Sequence, residues 1–343
     1  MPRLSPQQRP QGKSSLSRRG FLGAAGAATC SLLWARKIAA DEALPPPEFL
    51  LEWGSHGKED GQFDACVGIA ISKDDEIYTC EFRNQRIQKF TTEGKFIGKF
   101  SIQPHGGGLA VDAQGNVYVA HWNSNKVAAY SPTGELLREW GQKGAADGEF
   151  HLPGSIALGP DGLLYVPDQA NSRVQKFTTD GKFVAKIGEY GKEPGQFGGG
   201  TGPGGRFSGP QFVSFDSAGN FYTTDPSLDR IQKFTPEGKL LGFWGNESVE
   251  PGGFGPPPLN KDGNPGMGGP IALCLDKNDN VWVSATNNRV QQFTNDGKYL
   301  RGVGGEGTMP GQFDLPHGVA LDSTGCVYVA DTMNFRIQKF AGS

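Results

Sequence analysis

The sequence predicts an all-β fold, a six-bladed β-propeller of four-stranded antiparallel blades, and three observations carry that prediction. One pattern recurs six times at a spacing of roughly 40 to 60 residues, the period of a stacked repeat. It is plainest in Arg86-Ile-Gln-Lys-Phe90, Arg230-Ile-Gln-Lys-Phe234 and Arg336-Ile-Gln-Lys-Phe340. Within each copy, β-rich runs alternate with Asp-Gly type turns, which supply the positive φ of a tight hairpin. The first copy is preceded by a lone strand-like segment, Phe49-Leu-Leu-Glu-Trp-Gly54, while the last stops at Phe340 without a fourth strand.

The third copy displays the whole unit in order. Residues 155–168 form the first hairpin, strands a and b, folded at Gly159-Pro-Asp-Gly162. Arg173-Val-Gln-Lys-Phe177 is strand c, and Lys182-Phe-Val-Ala-Lys-Ile187 follows the Thr178-Thr-Asp-Gly181 turn as strand d. The corresponding hairpins span 67–81, 108–121, 212–225, 271–284 and 319–331. A single unit cannot bury its own apolar faces, so the copies must stack around an axis, and a propeller usually has four to eight blades. Residues 49–54 match the fourth strands Leu136-Leu-Arg-Glu-Trp-Gly141 and Leu240-Leu-Gly-Phe-Trp-Gly245. They are therefore expected to complete blade six and leave no open sheet edge. The ring occupies residues 49–343 as one domain, with 41–48 a linker and 1–40 outside it.

The motif of Gly-Gln-Phe, Pro-x-Gly-Val-Ala-Leu-Asp, Gly-x-Val-Tyr-Val-Ala-Asp and Asn-x-Arg-Ile-Gln-Lys-Phe stands almost complete between residues 311 and 340. It resembles the NHL repeat, and the resemblance extends over residues 49–343. Propellers of that family serve as protein platforms, RNA binders and a few metal-dependent lyases, so the resemblance implies a fold and leaves the activity open.

Ser17-Arg-Arg-Gly-Phe-Leu22, followed by a short apolar stretch to Trp34, resembles a twin-arginine export signal, with cleavage near Ala40. The stretch is too short for a permanent transmembrane helix, so no membrane anchor is expected after cleavage. Cys30 lacks the Leu of a lipoprotein site three residues before it. The expected location is the periplasm or another extracytoplasmic compartment. Seven of the 33 basic residues and none of the 36 acidic ones lie in residues 1–40. The mature chain keeps 26 basic residues against 36 acidic, a net charge of −10. Such a chain lacks the field that draws phosphate backbones, and nucleic acid is not an expected partner. Cys66 and Cys80 fall at one end of the same hairpin and could bridge in an oxidising compartment, although unpaired core thiols are the plainer reading.

All five histidines map to the face that carries the d-to-a and b-to-c connections: His56, His105, His121, His151 and His317. Starts of the a strands converge there on the channel mouth, where three imidazoles with one open position would hold zinc. Pro316-His317-Gly318-Val319 looks like the Pro-His motif of the peptide-amidating lyase, an NHL-like propeller with histidine-held zinc. His105 is displaced by two residues in that alignment, and blade four offers Gln211 instead of histidine. His317, His105, His121 and Gln211 are the candidate metal ligands, and the plainer reading makes His317 and His105 mouth residues bonded to backbone. His56, His151, Trp122 and Arg206 are candidate rim contacts. Four copies pair an acid with an Arg five residues on, Glu81 with Arg86, Asp168 with Arg173, Asp225 with Arg230 and Asp331 with Arg336. These read as ion pairs that hold the blades. Blade two breaks the series with His121 and Lys126. No nucleophile or phosphate-loop motif is present in the chain. The sequence expectation is a platform for a protein, peptide or small ligand, with a zinc lyase or hydrolase as the alternative.

Overall fold

The structure, a computed structural model, describes residues 43–198, 209–256 and 268–342. The segment that resembles an export signal, Cys30 and Arg206 lie outside these residues. Among the described residues no helix is long and apolar enough to cross a membrane.

Six four-stranded antiparallel sheets follow one another around a central channel, as the repeat predicts. Blade one is typical: Cys66–Ile71, Ile77–Glu81, Arg86–Phe90 and Phe96–Ser101 pair in chain order. Blade six takes its outer strand from the start of the ring. Phe49–Trp53 lies antiparallel to Arg336–Phe340, with Leu51 opposite Lys339 and Trp53 opposite Ile337. The ring of Phe49 meets that of Phe340 edge-on at 5.9 Å. One blade thus holds both ends of the ring.

Burial falls from axis to rim in a way the sequence pattern dictates. Second strands such as Ile77–Glu81 and Val117–His121 are buried along their whole length, whereas the outer strand Leu136–Trp140 is largely exposed. The apolar core lies between blades: Tyr78 and Ile87 of blade one pack with Leu109, Val117 and Val119 of blade two. Each such side chain contributes about 1.5 to 3 kcal/mol of burial, which is why no blade stands alone.

The repeated Arg-Ile-Gln-Lys-Phe strand divides its work between two faces, because successive strand residues point opposite ways. Ile87 and Lys89 face the next blade, and Lys89 lies over the ring of Tyr78. The same Lys-on-Tyr contact recurs at Lys176 with Tyr165, Lys233 with Tyr222 and Lys339 with Tyr328. Arg86 and Gln88 face the crossing that arrives from the preceding blade. Arg86 donates to Glu81 at 2.6 Å and to the carbonyls of Lys58, Glu59 and Gln62. Gln88 donates to the Gln62 carbonyl and accepts from the Gly61 amide. The ion pairs read from the sequence are present in all four blades, at 2.6, 2.9, 3.3 and 2.8 Å in chain order. The structure adds that the same arginines fasten three loop carbonyls each, as Arg173 does for Ala145, Ala146 and Glu149.

Blade two departs from the series for a physical reason. Its crossing is only residues 102–105, too short to form the loop that Arg and Gln would hold. Lys126 instead pairs with exposed Glu139, and Ala128 takes the glutamine position. Buried His121 donates from Nδ1 to the Pro104 carbonyl at 3.1 Å and accepts at Nε2 from the Tyr130 hydroxyl at 3.2 Å. Cys66 and Cys80 are unpaired buried thiols, and Cys274 and Cys326 are also free.

Replacing Arg173 with Met strands the buried carboxylate of Asp168, and the expected loss is about 3 kcal/mol of unfolding free energy. Lys126→Met removes an exposed pair, and its expected cost is below about 1 kcal/mol. Urea unfolding of the two variants checks this; equal losses would show that the buried cation does not hold the crossing.

Candidate functional site at the channel mouth

First strands of the six blades line the channel. Ile69, Leu109, Ile156, Val213, Leu273 and Val319 face it, one from each blade, around a cavity of about 280 Å³. The positions two residues before these lie one level nearer the mouth, across a register irregularity of the inner strand in blades one, two, five and six. Those positions are Val67, Gly107, Gly154, Gln211, Ile271 and His317. All but Ile271 wall a second cavity of about 340 Å³ at the mouth itself. Phe82, Arg83, Trp122, Gln169, Thr332 and Met333 add its rim from the b-to-c loops, with Ala65 and Leu315 between. At this level blades two and three contribute only glycine, so closely packed that an added Cβ at Gly107 or Gly154 would lie 2.7 Å from the backbone oxygen of Gly154 or Gln211 in the next blade.

Polar groups at the mouth are few and fixed. His317 donates from Nδ1 to the Val67 carbonyl at 2.9 Å, which leaves Nε2 as the acceptor of a neutral ring. Burial pushes its pKa down to about 4, opposed only in part by the Val67 carbonyl. The Phe212 ring stands 5.6 Å from the imidazole, edge to face, and lines the channel cavity below. Gln211 is 4% exposed, and its Oε1 has no donor among the described residues. Trp122 donates from its indole to Gln169 at 3.0 Å. Arg83 is mostly exposed and pairs with Asp64 at 3.1 Å.

The mouth brings together His317, Gln211 and Trp122 from the sequence candidates, and it does not gather the rest. His105 occupies a left-handed position, φ +64°, where other blades place Ala65, Leu152 and Leu315. Its ring packs on Phe82, 5.1 Å away, outside the cavity wall. His121 is turned into blade two with both ring nitrogens engaged. His56 lies against Phe335 at 4.3 Å, and His151 gives its backbone amide to Asp168. Among the described residues no three His, Cys, Asp or Glu side chains converge as metal ligands. The proposed set of His317, His105, His121 and Gln211 therefore does not fit a zinc ion, because two of its imidazoles are committed elsewhere. Sequence reasoning passed over Phe82, Gln169 and Met333. The repeat register would have found Gly107 and Gly154, since each stands two residues before a channel residue.

Comparison with known proteins agrees with this architecture. The NHL repeat model matches residues 63–90 and 313–340, and the model of the SMP-30/Gluconolactonase/LRE-like region matches 100–146. The chain is thus a six-bladed propeller carrying NHL repeats. It is 28% identical over 187 residues to NHL repeat-containing protein 3 of Mus musculus, covering 52% of this chain and 49% of that one. It is distantly similar to peptidyl-glycine alpha-amidating monooxygenase A of Xenopus laevis, 36% identical over 95 residues, 25% of this chain and 10% of the relative. The chain spans about half or less of these curated relatives. A streptogramin B lyase superposes with a TM-score of 0.57 at 16% identity, over 85% of this chain and 97% of that one, a likeness of fold.

Both buried imidazoles have folded pKa values of about 4, lowered chiefly by burial. An unfolded histidine titrates near 6.5, so the unfolded chain binds more protons between pH 6.5 and 4. Their contribution to stability is complete above pH 6.5 and is lost as the pH falls toward 4, by about 3 kcal/mol for His121. Nitrogen-15 spectra should show the His121 and His317 rings neutral down to about pH 5, and titration of either near 6.5 would contradict their burial.

Proposed function

We propose that the mature protein is an extracytoplasmic binding platform whose mouth takes a small ligand or the end of a peptide without consuming it. The observation that carries this reading is the mouth cavity itself: apolar walls, few polar groups, and a rim fastened by the Arg and Gln contacts of the surrounding blades. Pockets of this size with a small number of placed polar groups are the usual form of ligand sites. Blade two, with its short crossing, lowers the rim beside Trp122 and Phe82, and an extended ligand can leave the mouth there. The twin-arginine resemblance of residues 17–22 supports export of the folded domain.

A second reading, a lyase or hydrolase, is favoured by one feature. His317 is held neutral with Nε2 free to accept a proton, the state a general base requires. The lyases and lactonases among its similar propellers are compatible with that role. Binding remains the preferred reading, because among the described residues no second acid, base or metal set stands beside His317 in the cavity wall.

The test is ligand mapping by NMR on mature protein recovered after export, with a panel of apolar small molecules and short peptides. Chemical-shift changes are expected to cluster at Val67, Phe82, Trp122, Leu315 and Met333, and to persist when a chelator is added. Trp122→Ala and Met333→Asp should each weaken binding at least tenfold. Shifts confined to the opposite face, around Lys73 and Gln114, would overturn the mouth as the site. Loss of binding on chelation, or turnover abolished by His317→Asn, would move the assignment to the enzyme reading. Retention of the uncleaved chain in the cytoplasm would remove the export component.

A further inference from the structure

We infer that the mouth selects a neutral ligand with an apolar body and a terminal N–H or O–H donor, and rejects carboxylates and ammonium groups; this rests on the ligand-binding reading above. Two residues of alternate blades, Gln211 and His317, line the cavity and carry acceptor atoms. Gln211 Oε1 in blade four is buried without a donor, and His317 Nε2 in blade six is left as an acceptor by the Nδ1 bond to Val67. Phe212, the neighbour of Gln211, lies against the His317 ring, so blades four and six meet across the axis at this level. The equivalent position in the third alternate blade, blade two, is Gly107, which presents no side chain to the cavity and packs so closely on blade three that an added Cβ would lie 2.7 Å from the Gly154 carbonyl oxygen. A buried acceptor without a partner costs about 1 to 3 kcal/mol, and a donor supplied by the ligand recovers much of it.

Charge is refused from both directions. Among the described residues no lysine lines the cavity, and the guanidinium of the arginine that does, Arg83, is bonded to Asp64 at the exposed rim. A carboxylate seated inside would therefore set its oxygens against two lone pairs with no cation to offset desolvation. Among the described residues no Asp or Glu lines the cavity either, so an ammonium group gains hydrogen bonds but finds no counter-charge there. A primary amide offers one N–H donor to each acceptor and a hydroxyl satisfies one of them, and neither carries net charge. Phe82, Trp122, Val67 and Leu315 offer the surface for its apolar body.

Three naphthalene probes with matched bodies test this: 1-naphthaleneacetamide, 1-naphthaleneacetate and 2-(1-naphthyl)ethylamine, titrated by fluorescence and NMR at pH 7. The amide is expected to bind at least tenfold more tightly than the other two. Gln211→Leu and His317→Phe, each first confirmed as folded by its amide spectrum, should retain binding and bring the amide within about threefold of the acetate. Acetate or amine binding as tightly as the amide, or a preference that survives both substitutions, would overturn the inference while leaving the mouth as a binding site. Binding of no probe at the mouth would count against this inference and against the ligand-binding reading together.

Discussion

Five of the six crossings from one blade to the next carry a loop whose carbonyls turn inward, and the molecule depends on satisfying them. Buried backbone polar groups left unpaired cost as much as a lost hydrogen bond. Arg86, Arg173, Arg230 and Arg336 meet that demand with three carbonyls each, while the paired acid balances the buried charge. A glutamine two residues on completes the staple in five blades by bonding a loop carbonyl and accepting a glycine amide. The Arg-x-Gln spacing is thus a consequence of strand geometry, since only alternate residues reach the same loop. Blade five keeps Arg289 and Gln291 while Ala285 replaces the acid, and the arginine there holds a single loop carbonyl, that of Val249.

This constraint ties stability to function. The stapled loops and the b-to-c connections make up the face on which the mouth opens, so the rim is positioned by the same contacts that join the blades. Where the staple is absent, in blade two, the rim is low and His121 fills the vacated interior as a neutral hydrogen-bonding residue. A histidine that looks like a ligand in the sequence is there because a loop is missing.

The architecture was legible because repetition averages out local ambiguity. Trp53, Trp140 and Trp244 recur ahead of glycine, and that recurrence alone assigned residues 49–54 to blade six. Acid and arginine were legible as a pair for the same reason. The site was legible only in part. His317 and Gln211 were found through their place at the start of an inner strand, but residue type was a poor guide to the others. His105 precedes its strand by one residue, and left-handed backbone there directs the ring outward to Phe82. Phe82, Gln169 and Met333 lie in the b-to-c loops at the variable positions between the repeated acid and the repeated Asn-x-Arg, so nothing in the repeat marks them as rim residues.

Protection of the loop glycines tests the staple most directly. Gly61, Gly148, Gly195, Gly252 and Gly311 all sit in surface crossings, yet each gives its amide to a strand glutamine. Native-state hydrogen exchange should find these five amides protected to the same degree as the strand amides beside them. Exchange at the rate of an open loop would mean that the crossings are not fastened, and the positioning of the mouth would need another cause.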